Sequence, residues 1–278
     1  MKKILNLLFL SMLLMLTALS SCTNIDDDEH YTYVKPADVN RCVLIEDFTG
    51  QRCRNCPTAT YEIEKLQEQY GADVVIAVGI HSGPLGFKGN AKVAGLSTDL
   101  GDTYYNFWKC DHQPVGLVNR GGLCEYTSWA AEVRKAVGQK APLDLKLTIN
   151  SYDNDTRRVK LTADAHGTNG TTAGKLQLWV LEDSITAMQT MPDGKPNADY
   201  VHMHVLRAAI NGDWGQDITV REGQTVPVEA EFNIDEKWDP KHVSIVAFVY
   251  NPSGVMQVTK KALLKPQQAK GNNHYKTR

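Results

Sequence analysis

The 278-residue sequence has almost no net charge: 30 Lys and Arg stand against 32 Asp and Glu, leaving −2 at pH 7. It therefore lacks the basic footprint of a nucleic-acid binder, and no nucleic acid is expected as a partner. A second long apolar run is also missing. Beyond Leu19, no segment is long and apolar enough to cross a bilayer as a helix. Cysteine is sparse, at 6 residues, and a second Cys-x-x-Cys pair is absent. A zinc site made of two such pairs is excluded, and only Cys110-Asp111-His112 offers further ligands to the first. Acidic ligands at calcium-loop spacing do not follow Asp153-Asn154-Asp155, so that stretch reads as a hairpin turn. No cofactor is implied. What the chain does have is 42% hydrophobic residues, enough for real cores, over a length that suggests two domains.

The start is a targeting segment. Met1-Lys2-Lys3 is basic, Ile4 to Leu19 is apolar, and Leu19-Ser20-Ser21-Cys22 closes the run. These residues resemble a bacterial lipobox, with an uncleaved anchor or an ordinary signal peptide as the alternatives. The resemblance implies that Cys22 is acylated, palmitate-type chains holding the mature chain to a membrane. Asp26-Asp27-Asp28-Glu29 would ensure a solvated tether by charge alone. The run is also similar to the acidic signal that sends some Bacteroidetes lipoproteins to the outer face of the outer membrane. The periplasmic face is the alternative.

Cys53-Arg54-Asn55-Cys56 follows an apolar run, Val43-Leu44-Ile45, and precedes Pro57 and a helical pattern. Helix N-terminal amides stabilise a thiolate, and a second cysteine three residues on can resolve a mixed disulfide. Cys53 is the expected attacking thiol at an exposed helix end, with Arg52 and Arg54 favouring the thiolate, and Cys56 the resolving one. Asp47 is either a proton acceptor for Cys56 or a surface or capping residue. A stable structural disulfide competes with the redox reading, because a cell-surface protein has no obvious supply of electrons.

Around the pair, residues 41–48 read as a buried strand and 73–80 as a second, parallel one. The helix between them should bury Tyr61, Ile63, Leu66 and Tyr70 and stop at Gly71. A short helix is expected over 95–108, a strand directly after Pro114, a return strand over 123–126 and a helix over 128–137. This order resembles the thioredoxin-like family. The resemblance implies a cis Pro114 that shapes a substrate groove for protein or peptide thiols and disulfides; the alternative is an ordinary strand-start proline. Arg52, the Arg54-Asn55 dipeptide, Gln113 and a longer segment between the second and third core strands depart from the family pattern.

From Leu143 the apolar period changes to two. Runs around 143–149, 159–163, 176–180, 201–205, 226–230, 243–249 and 255–260 predict about seven strands of an antiparallel sandwich. His202 and His204 fall on one face of the fourth run, either as the start of a metal site to which His242 would contribute or as a solvated strand face. Cys42, Cys110 and Cys124 remain; a Cys42–Cys124 staple is conceivable, but sequence does not fix connectivity. The expected organisation is a lipoprotein signal peptide (1–21), an acidic tether (22–38), an α/β thioredoxin-like domain (39–141), an all-β immunoglobulin-like sandwich (142–264) and a disordered tail (265–278).

The lipobox, Phe48-Thr49-Gly50 leading to the cysteine pair, Pro114 ahead of Val118-Asn119-Arg120, and His204-Val205-Leu206-Arg207 together resemble the Omp-type outer-membrane lipoprotein family of Bacteroidetes. That resemblance implies fold and location. Two functions remain: a thiol–disulfide oxidoreductase acting on extracytoplasmic proteins through Cys53 and Cys56, or a surface binding or adhesion lipoprotein with an unknown ligand.

Overall fold

Strand β1 (Val39–Asn40) is followed by β2 (Val43–Thr49), every residue of which is buried. A strand without an exposed face has to be covered on both sides. These observations come from a computed structural model that describes Lys35 and residues 37–264. The expected signal peptide (1–21), Cys22, the acidic run at 26–29 and the expected tail from 265 lie outside the described residues.

Helix α1 (Cys56–Tyr70) crosses from β2 to β3 (Val75–His81), which pairs with β2 in parallel from Val43 opposite Val75 to Thr49 opposite His81. Pro57 sits in the first helical turn, where its missing N–H costs little, and Gly71 at φ 97° ends the helix. Ala59, Ile63 and Leu66 form the buried stripe. Tyr61, expected there, is 59% exposed because it lies off that i, i+4, i+7 row. Helix α2 (Asp99–Phe107) starts later than predicted, because the Thr98 hydroxyl caps it by accepting from the Gly101 N–H. Strand β4 (Val115–Val118) runs antiparallel to β2 and pairs with β5 (Leu123–Glu125); α3 (Trp129–Ala136) then packs with α1 over Val43, Ile45, Val75 and Ala77.

A short β6 (Lys140–Ala141) pairs with β1. The remaining strands are β7 (Leu143–Tyr152), β8 (Arg158–Gly167), β9 (Thr171–Glu182), β10 (Ile185–Thr190), β11 (Pro196–His202), β12 (Val205–Ala209), β13 (Gln216–Arg221), β14 (Thr225–Asn233), β15 (Val243–Asn251) and β16 (Gly254–Ala262). Asp153 makes the β7–β8 turn, its carboxylate accepting from the Asp155 and Thr156 N–H groups. The run read as one strand through Val201, Met203 and Val205 is broken. His204 takes φ 58°, and the chain leaves β11 to enter β12 in a different sheet.

The expected pair of domains, thioredoxin-like α/β and then a separate immunoglobulin-like sandwich, is not what the chain forms. Strands dominate, and one nine-stranded sheet in the order β16-β15-β9-β12-β3-β2-β4-β5, with β13 on β9, takes strands from both halves. The join is β12: Val205 pairs in parallel with Gly79 and antiparallel with Glu182. The physical reason lies in β9 and β15. Alternation picks out Val243, Ile245, Ala247 and Val249, but Ser244, Val246 and Phe248 are buried too. A strand buried on both faces belongs inside a covered sheet rather than in a layer with one face in water. One face of β9 and β15 packs on the three-stranded sheet of β14, β8 and β7. Their other face, with Trp179, Leu181, Val246 and Phe248, shares a core with Leu44, Phe48, Ile76 and Ile80. The sheet therefore curls on itself. Val255 N–H donates to Asn119 O (2.8 Å) and Cys42 N–H to Gln257 Oε1 (2.9 Å) across the closure.

Candidate functional site

The turn after β2 delivers the cysteines. Gly50 is required there, since a Cβ would stand 2.3 Å from the Leu85 carbonyl oxygen. Cys53 and Cys56 are joined by a disulfide, S–S 2.06 Å, with Cys56 opening α1. Cys53 does not lie at an exposed helix end: it is 1% exposed, and Cys56 is 2% exposed. The β10–β11 hairpin anchors on the turn. Gln189 Nε2 donates to Cys53 O (2.8 Å) and Gly50 O (3.3 Å), and Thr190 N–H donates to Gln51 O (2.8 Å). The wholly buried Gln51 side chain ties the hairpin to the loop before α2. It donates to Met188 O and Ala94 O and accepts from the Leu96 N–H. Both arginines are engaged elsewhere: Arg54 donates to Pro192 O, and the Arg52 guanidinium lies 4.9 Å from the Phe87 ring centroid.

Below the disulfide is a cavity of about 200 Å³ lined by Asp47, Cys56, His81, Tyr200 and His202, among others. Asp47 is fully buried, neither surface nor capping, and desolvation pushes its carboxyl up to about 8. Burial holds the His81 imidazole well below its ordinary value, with His202 and Arg207 adding to the effect, and burial brings His202 down to about 4. The two rings meet edge to face at 5.1 Å. At neutral pH the acid is protonated and both imidazoles are neutral, so these three groups leave the cavity uncharged. Asp47 Oδ1, His81 Nδ1 and His202 Nε2 have no protein hydrogen-bond partner. Chemically, the arrangement offers a proton donor beside a buried sulfur.

Pro114 is buried and follows a cis peptide bond from Gln113. Gln113 Nε2 donates to Thr49 O (2.6 Å) and Ser82 O (3.0 Å), fixing the start of β4 beside the end of β2. His202 and His204 do not share a strand face. His204 lies 2.9 Å from the Asp183 carboxylate and His242 lies 3.8 Å from that of Asp239. Among the described residues, no three His, Cys, Asp or Glu side chains are grouped so as to hold a metal ion. Cys42, Cys110 and Cys124 are free thiols. Cys42 packs into the curled core and Cys124 under the helices, on opposite faces of the sheet, so no staple joins them. Burial pushes the Cys110 thiol up to about 12.

A second concavity was not anticipated. Glu46 and Asp47 are chain neighbours on a strand, so their carboxylates point to opposite faces. Glu46 meets Arg120 in a buried pair, with Nε to Oε1 at 2.8 Å. The guanidinium is caged by Tyr250 (4.2 Å), Phe248 (4.9 Å), Trp179 (5.5 Å) and Trp108 (6.0 Å). Above this cage opens a cleft of about 870 Å³ lined by Phe107, Trp108, Arg120, Trp214, Tyr250 and the outer surfaces of β9 and β13. Phe107 is 57% exposed and packs on Trp214 with the rings tilted at 49° and their centroids 4.3 Å apart. The sequence signal was a set of aromatics with no strand or helix period, at 107–108, 214 and 250. These come from separate segments, so only the fold brings them together.

Comparison with known proteins gives three findings. The sequence model of the family described as "Outer membrane protein Omp28" matches residues 101–268. Among solved structures, HBP35 of Porphyromonas gingivalis superposes with a TM-score of 0.65 at 16% identity, over 87% of this chain and 82% of that one. At that identity the likeness speaks to the fold alone. A domain of the outer membrane lipoprotein Omp28 from Porphyromonas gingivalis gives a TM-score of 0.32 at 23% identity, over 43% of this chain and 86% of that one. A search among curated proteins finds no match. No helix among the described residues is long and apolar enough to cross a membrane.

Proposed function

Since the chain belongs to the Omp28 family and is an outer-membrane protein, we propose that it is a lipid-anchored binding protein of that membrane, with Cys53–Cys56 as a structural disulfide. Anchoring falls to Cys22, and the acidic run behind it puts the folded part on the outer face. One observation carries the reading: the disulfide is buried beneath a hairpin hydrogen-bonded to Gly50, Gln51 and Cys53. A protein substrate has to reach the attacked sulfur in line, and a buried sulfur offers no such approach. The family match supports the same reading, because residues 101–268 include every residue that lines the aromatic cleft and exclude the cysteine pair.

Mild reduction followed by iodoacetamide tests it. The expected result is no modification of Cys53 in the folded protein, and a Cys53→Ser/Cys56→Ser variant that remains folded and exported. Rapid modification of Cys53, together with turnover of a disulfide substrate, would sink the proposal. A thiol–disulfide oxidoreductase is the second reading, favoured by one feature: the protonated Asp47 carboxyl shares a cavity with the Cys56 side chain. It requires the hairpin to lift, and partners that are protein thiols or disulfides.

A further inference from the structure

We propose that the cleft above Arg120 binds a neutral saccharide chain. The inference deepens the binding reading above and rests on it. Phe107, Trp108, Trp214 and Tyr250 form an aromatic wall, and the Tyr250 hydroxyl fixes Trp214 by donating to its carbonyl (2.7 Å). The floor is a piece of sheet with small residues, Ala173, Gly174 and Thr219, edged by Lys175 and Asp217. The volume falls in the range of small-ligand pockets, about 300–1,000 Å³.

Charge and polarity select the ligand class. Arg120 is held by Glu46 in a buried pair and Lys175 meets Asp217 at 2.8 Å on the exposed edge, so these four groups leave the cleft without net charge to draw an anionic ligand. An acyl chain would strip water from Lys175, Asp217 and Thr219 without replacing its hydrogen bonds. A pyranose ring satisfies both demands. Its C–H face lies on the aromatic wall, and its hydroxyls accept from Lys175 and donate to Asp217 along the edge. Phe107 stands more than half exposed at the mouth, positioned to cover such a ring.

Calorimetry and tryptophan fluorescence of the full chain would be recorded with cellohexaose, maltohexaose, xylohexaose and mannohexaose, and with laurate and a heparin hexasaccharide as rivals. Saturable binding of at least one neutral hexasaccharide is expected, weakened about tenfold in Phe107→Ala and in Trp214→Ala, the loss of one stacked ring. Phe107 is exposed enough for its variant to keep the fold, which near-UV circular dichroism checks. The proposal is overturned if no neutral hexasaccharide binds, if Phe107→Ala binds as well as the parent, or if only laurate or heparin occupies the cleft. A negative titration with Cys53 still protected from iodoacetamide removes this inference alone. Modification of Cys53 with disulfide turnover removes the broader reading whatever the sugars do.

Discussion

Two adjacent carboxylates on β2 meet opposite fates, and each gives a measurable consequence. The raised value of Asp47 means that the folded state holds a proton that the unfolded state has lost above about pH 4. Stability from this group is therefore complete below pH 4 and is lost as pH rises through 8. His81 and His202 work in reverse, since their lowered values withdraw stability only as pH falls below about 6.5. Between pH 6.5 and 8 Asp47 acts without them. Urea unfolding of Asp47→Asn should show a gain over the parent that grows by on the order of 1–2 kcal/mol across that window; parallel pH profiles would contradict the assignment. On the other face, Glu46→Ala leaves Arg120 buried without its partner and should cost about 3–5 kcal/mol, whereas Glu46→Leu with Arg120→Met should cost far less. Denaturation of the single and double variants reads the difference. Asp47 was legible as a candidate acid because it lies at the end of the first predicted strand, just before the cysteine turn. The Glu46–Arg120 pair was not, because its members lie 74 residues apart and only the β2–β4 pairing brings them together.

At the scale of elements, the hairpin β10–β11 decides whether the disulfide can be reached. Gln189→Ala removes the donor to Cys53 O and Gly50 O and should destabilise the hairpin by about 1–3 kcal/mol. After mild reduction, Cys53 in that variant should be alkylated faster than in the parent, with faster amide exchange over 185–202 as the accompanying sign; unchanged alkylation would mean that something else shields the sulfur. The helices and the strands β2 to β5 were legible because caps, prolines and glycines punctuate apolar runs. β10 was not, because its buried face carries Ala187 and Gln189 rather than large apolar side chains. A strand that seals by hydrogen bonds leaves no hydrophobic period to read. β13 shows only Ile218 and Val220 on its buried face, too short an alternation to stand out.

For the whole molecule, β12 between β9 and β3 makes one sheet of what the change of period at Leu143 suggested were two domains. Period reports which face of a strand is buried and carries no information on its neighbour, so a boundary was read near residue 142, although the nine-stranded sheet takes strands from both sides of it. Residues from 37 to 264 belong to a single compact unit. Separate polypeptides covering 37–141 and 142–264 should each fail to fold, because each loses its share of the core that Leu44, Phe48, Ile76 and Ile80 form with Trp179, Leu181, Val246 and Phe248. The intact chain should unfold with coincident transitions by tryptophan signal and by exposure of the Cys110 thiol. Two well-separated transitions would restore the two-domain picture. The pairing of Val205 with Gly79 also has a meaning in time. A chain made and exported from its N-terminus presents β3 long before β12 emerges, with more than a hundred residues of synthesis between them. During that interval the edge of β3 stays open, and the sheet is completed only when the chain's own late segment arrives.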